Sequence, residues 1–179
     1  ELATGVKQAD IEEKGITLRE ACGNTVRNIT ASANAGIDPK ELFDVTPYAH
    51  AMFKYFLRNP ICQELGRKFK IAFSSSDSDT AYTWIHDLGF IPRIENGKPG
   101  FKVVVGGGLG AQPMMAQVGF EFLEADQLIP YAEAALRVFD RYGERTRRHK
   151  ARLKYLIADI GFEEFTKLIE QERTALKSK

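Results

Sequence analysis

Apolar and polar positions alternate with period two around Phe69, Ile71 and Phe73, with Lys68 and Lys70 between and before them. That spacing predicts a strand over 68–74, with three apolar side chains on one face and both lysines on the other. Residues 24–31 predict a second strand, because Thr25, Val26, Ile29 and Thr30 are β-branched. Gly89 to Ile94 and Phe101 to Val105 read as two strands joined through the turn cluster 95–100, a hairpin. Thr46-Pro47 opens a helix, with a capping hydroxyl and proline at the first helical position. It runs through Met52 and Phe56 until Asn59-Pro60 stops it. Ser74 to Asp79 form a polar loop, with Asp77 or Asp79 capping a helix through Trp84 and Ile85.

The chain beyond Gly110 reads as helical. Asp126 caps a helix reaching Tyr142, with Leu128, Ala132, Ala135, Leu136 and Phe139 inward. Further helices span about Thr146 to Ile160 and Phe162 to Leu176, the last with Phe165, Leu168 and Ile169 inward. Gly143 and Gly161 are the stops. At the other end, residues 1–16 are a polar arm or linker remnant, and Thr17-Leu18-Arg19-Glu20 is a capping box for a short helix ended by Gly23. The expected fold is α+β: a mixed sheet of strands near 24–31, 68–74, 89–94 and 101–106, covered by helices, with a helical C-terminal third. It forms one domain over 17–179.

Composition narrows the function only slightly. Apolar content of 44% and charged content of 27% suit a soluble globular domain of this 179-residue length. A net charge of +1 puts any electrostatic signal into local patches. Two cysteines, Cys22 and Cys62, make neither a disulfide framework nor a four-cysteine metal site, and they fit reduced thiols in a cytoplasmic protein. The three histidines show no ligand spacing, so no metal ligand is assigned. No apolar run approaches a membrane span.

Four features carry candidate chemistry. Two ammonium groups on one strand face repel, so Lys68 and Lys70 are either a solvated face or a wall for an anion. Arg27 is either an edge-strand ion-pair residue or a rigid grip for an oxyanion. The run Gly106-Gly107-Gly108-Leu109-Gly110 is either a flexible connector or a place of close backbone approach. It meets neither G-x-G-x-x-G in a βαβ unit nor a G-K-[ST] motif. Arg145, Arg147, Arg148, Lys150, Arg152 and Lys154 open the predicted helix 146–160 without an intervening acid. Arg145, Arg148 and Arg152 then share a face, and positive charge at a helix start calls for an anion nearby. Alternatives are a non-catalytic anion- or nucleotide-binding module using the glycine run, and a nucleic-acid-binding domain using the basic helix.

Taken in order, these stretches resemble the siroheme-dependent nitrite and sulfite reductases from about Thr17 to Glu172. The carriers are G-N-T-V-R-N-I-T at 23–30, A-G-I-D-P at 35–39, F-D-V-T-P-Y at 43–48, R-K-F-K at 67–70, G-F-K-V-V-V-G-G-G-L at 100–109, R-V-F-D-R-Y-G-E-R at 137–145 and R-H-K-A-R-L-K-Y at 148–155. The resemblance implies a six-electron reduction of sulfite or nitrite at siroheme coupled to a [4Fe–4S] cluster. It assigns Arg27, Lys68 and Lys70 to the substrate. It places Asn28, Arg67, Gly106, Gly107, Gly108, Arg148, Lys150 and Arg152 near the siroheme, whose carboxylates call for cations. It also implies an electron donor, ferredoxin or a flavoprotein, and no nucleic-acid or membrane partner.

The cluster-binding cysteines belong to the family's other half and have no counterpart here. The chain therefore resembles the first of two related halves, inactive and without bound cofactor when alone. Ala31-Ser32-Ala33 and Ser74-Ser75-Ser76 depart from the family pattern. Lys70 stands where plant nitrite reductases of the family carry asparagine and sulfite reductases carry lysine, which leans the chain towards sulfite.

Overall fold

The computed structural model describes residues 23–176. The polar arm, the Thr17 capping box and Cys22 lie outside the described residues. The elements are β1 (Val26–Ala31), α1 (Thr46–Phe56), β2 (Phe69–Phe73), β3 (Leu88–Glu95), β4 (Lys98–Val105), β5 (Gln117–Glu124), α2 (Leu128–Tyr142), α3 (Leu153–Ile160) and α4 (Phe162–Leu176). The sheet order is β1-β2-β3-β4-β5. The first three strands are parallel, and β4 and β5 add antiparallel. This is the expected mixed sheet with one strand more.

The alternation read in the sequence sets the layers. Phe69, Ile71 and Phe73 are fully buried in one core with Leu88, Phe90, Phe101, Val103 and Val105. Against this face pack Met52 and Phe56 of α1, Leu136 and Phe139 of α2, Ile157 of α3, and Phe165 and Ile169 of α4. Phe73 stacks on Phe90 at 4.8 Å, and Phe101 meets Phe73 edge-on at 5.7 Å. Truncating Phe90 to alanine would cost about 3–5 kcal/mol. The other sheet face is crossed by the segment 74–87. Gly89 makes room there, since a Cβ on it would lie 2.6 Å from the Thr83 Cβ.

Two strands hide their period behind register slips. In β1, Val26 pairs with Phe69 and Asn28 with Lys70, so Arg27 is an extra, bulged residue. Val26 and Ile29 both reach the core face although they are three apart. In β5 the register slips twice, and Phe120 and Leu123 face the core partners Val103 and Phe101, again three apart. Three is helical spacing, which is why β5 is absent from the sequence reading.

Other boundaries also differ. Thr46 is the first helical residue rather than the cap, and its N–H is taken by Asp44 Oδ1 at 2.9 Å. Asp126 sits in a 3-10 turn (Ala125–Gln127), and Gln127 is the N-cap of α2. Asp79 does accept the Thr83 N–H at 2.9 Å. However, left-handed backbone at Asp79 and Tyr82 confines the helix expected there to one 3-10 turn, Thr83–Ile85. The helix expected from Thr146 begins only at Leu153.

Ser32 and the run Ser74 to Ser76 meet at the carboxyl ends of β1 and β2. Ser75 N–H donates to Ser32 Oγ at 3.0 Å, and the Thr80 hydroxyl donates to the same oxygen at 2.9 Å. The Ser75 and Ser76 hydroxyls donate to Asp38 Oδ2 at 2.8 and 2.9 Å, and the Lys40 N–H donates to Asp38 Oδ1 at 3.0 Å. The Lys40 N–H and the two serines hold the Asp38 carboxyl below its ordinary range. A depressed folded pKa contributes stability above the unfolded value of about 3.9, lost as pH falls through the lower folded one. Asp38→Asn should therefore melt lower than the parent sequence at pH 7, and the gap should close below about pH 4. Thermal melts at both pH values check this, and a gap independent of pH counts against it.

Candidate anion site

The parallel strands β1, β2 and β3 begin at one end of the sheet, and antiparallel β4 finishes there. This brings Arg27, Arg67, Lys68, Lys70, Asp87 and Gly106 to Gly108 to one edge. The register does the placing. Ile71 pairs with Leu88, which sets Asp87 beside Lys70, and Asn28 pairs with Lys70 from the other side. Because Phe69, Ile71 and Leu88 face the core, Lys70 and Asp87 share the opposite face.

The cations crowd together enough to disturb one another. Arg67 is lowered from its ordinary range by burial and then by Arg148, Arg27 and Arg152. Lys68 is lowered by burial and by Arg27, Arg152 and Arg67. Lys70 is lowered by burial and by Arg152, Lys68 and Arg27, with Asp87 pulling the other way. Arg27, Arg67, Lys68 and Lys70 are each half-buried. Arg27 acts on this set from the β1 bulge, and its Nη2 donates to the Gly23 carbonyl at 3.0 Å. Such a set attracts an oxyanion. Lysines displaced towards neutrality also give up protons more readily than ordinary ones.

Asp87 is the carboxylate among them, and sequence reasoning did not single it out. It is fully buried. Its Oδ2 accepts the Lys70 N–H at 3.0 Å, its Oδ1 accepts Arg152 Nη2 at 3.0 Å, and its own carbonyl accepts the Gly106 N–H at 2.9 Å. Burial pushes the Asp87 carboxyl up, and Arg152 and Lys70 pull it back. The available signal was its place one residue before the Leu88/Phe90 alternation, on the face of Lys70.

The glycine run is a packing device. All of Gly106, Gly107 and Gly108 are buried. A Cβ on Gly107 would lie 2.3 Å from the Trp84 carbonyl oxygen, and one on Gly108 would lie 2.7 Å from Arg152 Nη2. Gly106 turns with φ of 87°. Arg152 Nη1 donates to the Leu109 carbonyl at 3.0 Å. Buried Lys154 donates to the carbonyls of Gly108 and Leu109, each at 3.3 Å, and to that of Gln112. The run is neither a flexible connector nor an open cradle for a nucleotide.

The basic helix face does not exist. Residues 145–152 are loop with a 3-10 turn at Arg148–Lys150. Arg145 pairs with Asp140 and Arg147 with Glu144, while Arg152 pairs with Asp87. Only Arg148 and Arg152 of that run act on the strand cations. Lys150 and Asn28 are exposed. With no helix start there, the reading of a nucleic-acid-binding helix loses its footing. Arg152 is offset by Asp87.

Packing of the run generates a graded expectation. Gly107→Ala drives a methyl into two backbone carbonyls, and should destabilise by about 1–3 kcal/mol. Gly108→Ala meets the guanidinium of Arg152 instead, and displacing it from buried Asp87 should cost at least as much stability. Thermal melts of the two variants compare them. A Gly108→Ala loss well below that of Gly107→Ala would contradict this account.

Comparison with known proteins follows the same lines. Residues 22–177 match the family described as the nitrite and sulphite reductase 4Fe-4S domain. The chain is 37% identical over 164 residues to sulfite reductase [ferredoxin] 1 of Mycolicibacterium paratuberculosis, covering 90% of this chain and 29% of that protein. It is 32% identical over 166 residues to the ferredoxin–nitrite reductase of Leptolyngbya laminosa, covering 90% of this chain and 32% of that protein. The structure of the Mycobacterium tuberculosis NirA protein superposes with a TM-score of 0.82 at 32% identity, over 94% of this chain and 31% of that one. The chain thus spans about a third of the length of the relatives it matches. A match over nearly its whole length, on the fold and with the motifs described above, means that the chain belongs to the nitrite and sulphite reductase 4Fe-4S domain family.

Proposed function

We propose that this chain is the part of a nitrite- or sulfite-reducing enzyme that grips the substrate anion and the rim of a siroheme. The observation that carries the reading is the crowding of Arg27, Arg67, Lys68, Lys70, Arg148 and Arg152 upon one another, with burial and mutual repulsion displacing Arg67, Lys68 and Lys70 and with Asp87 beside Lys70 and Arg152. Like charges are held together this way when an anion completes the site.

Arg27, Lys68 and Lys70 bind the substrate. Their placement on β1 and at and just before β2 stabilises charge on oxyanions without reorganisation. Lys68 Nζ and Lys70 Nζ donate hydrogen bonds to the anion's oxygens, and protons as those oxygens leave as water. Arg67, Arg148 and Lys150, together with Asn28, would hold the siroheme carboxylates. Gly106 to Gly108 serve through Arg152, which they allow to lie close. A polycarboxylate suits this donor set, since its net charge is positive and guanidinium groups pair with carboxylates. Bound siroheme supplies the iron at which the anion is reduced.

The [4Fe–4S] cluster is a different matter. Among the described residues no group of three or more His, Cys, Asp and Glu can hold a metal, and Cys62 is buried in the core. These residues do not fit a cluster, so its ligands belong to the remaining part of the parent enzyme. Ferredoxin, named in the relatives above, is the proposed donor.

Lys70 sets the preference between anions, and its charge favours sulfite. In the full-length parent, Lys70→Asn should raise the kcat/KM ratio of nitrite over sulfite by about ten- to a hundredfold, equivalent to roughly 1–3 kcal/mol. Lys68→Asn should impair both anions. Steady-state kinetics with each anion decide it. A ratio that moves with Lys68→Asn and not with Lys70→Asn reverses the roles.

A further inference from the structure

Asp87 has no part in the reading above except as a neighbour, yet three separate segments end on it. Its Oδ2 takes the N–H of Lys70 in β2, its Oδ1 takes Arg152 before α3, and its carbonyl takes Gly106 after β4. Its side chain is 0% exposed and that of Arg152 is 13% exposed, so this ion pair is shielded from water. Gly108 lies flat against the same guanidinium. Arg152 is therefore held from three directions, by Asp87, by the Leu109 carbonyl and by Gly108.

We propose that Asp87 is the positioning residue of the anion site: one buried carboxylate locks the Lys70 strand to the Arg152 guanidinium and supplies the negative charge against which the neighbouring cations are assembled. The groups facing Lys70 are Arg27 from β1, Lys68 next to it in the chain, Arg152 from the loop before α3, and Asp87. Three of these four are cations, and each favours loss of the Lys70 proton. Asp87 alone opposes them. Lys154 and Lys68 also feel Asp87, more weakly than they feel burial. With Asp87 in place, one negative charge opposes loss of the Lys70 proton. Without it, three cations and partial burial act on Lys70 unopposed.

This inference rests on the proposed anion-binding role of Lys70, but its test needs neither anion nor cofactor. In the full-length parent, the reactivity of Lys70 towards acetic anhydride is followed against pH by peptide mass spectrometry. Exposed Lys98, on the β3–β4 hairpin, is the internal control. Asp87→Asn should lower the Lys70 labelling midpoint by about one pH unit or more and leave Lys98 unmoved. The alkaline limb of kcat/KM for sulfite should fall with it. A merely structural role would lower the melting temperature without moving Lys70 relative to Lys98.

If Asp87→Asn does not fold, Gly108→Ala takes its place. It displaces Arg152 and leaves the carboxylate to Lys70, so the Lys70 midpoint should rise. An unmoved Lys70 midpoint in the folded variant overturns the proposal. A shifted midpoint together with an unchanged anion preference in Lys70→Asn keeps Asp87 as the positioning residue and rejects Lys70 as the selector.

Discussion

The chain's candidate site depends on one carboxylate buried among cations. Asp87 is inaccessible to water, and an unpaired carboxylate could not stay ionised there. Arg152 and the Lys70 N–H satisfy both of its oxygens. The dependence runs both ways. Arg27 and Arg152 crowd both Lys70 and Lys68, and the negative charge of Asp87 offsets part of that repulsion on both. Interactions of this kind are strong because the surroundings exclude water, and they fail badly when half of the pair is removed.

Around that pair the glycines become intelligible. Their value is in absent side chains rather than in flexibility. Gly107 lets the chain pass the carbonyls of Trp84 and His86, and Gly108 lets Arg152 lie flat. Two cations, Arg152 and Lys154, then bind the carbonyls of the loop after β4. At the opposite end of β1 and β2 the polarity is inverted. There Asp38 gathers hydroxyls and a backbone N–H and meets no such crowd of cations. Ser32, Ser75, Ser76 and Thr80 supply the hydroxyls of that network.

The chain belongs to the nitrite and sulphite reductase 4Fe-4S domain family, and its described residues bring cations together at the ends of strands. A strand edge is a rigid mount for groups that must hold an anion in one place. Cations and the thiolates of a cluster need different surroundings, and they can come from different parts of a longer chain.

Much of this was written in local pattern. Period-two alternation at 69–73 determined the core face and set Lys70 on the opposite one, because side chains in a strand have no other choice, while Lys68 lies just before the strand. The apolar stripes of α2 and α4 determined which sides face inward, and Leu136, Phe139, Phe165 and Ile169 are all buried as their spacing requires. Only the tertiary structure decided the rest. The bulge at Arg27 and the slips in β5 are properties of strand pairing; they space apolar residues three apart, which hid β5, while β1 stayed legible through its β-branched residues. The basic run looks like a helix face in isolation. It becomes a loop when Arg145, Arg147 and Arg152 take separate carboxylates, one of them 65 residues away. Asp87 acquires its meaning only from the pairing of Ile71 with Leu88, a contact that no local pattern encodes.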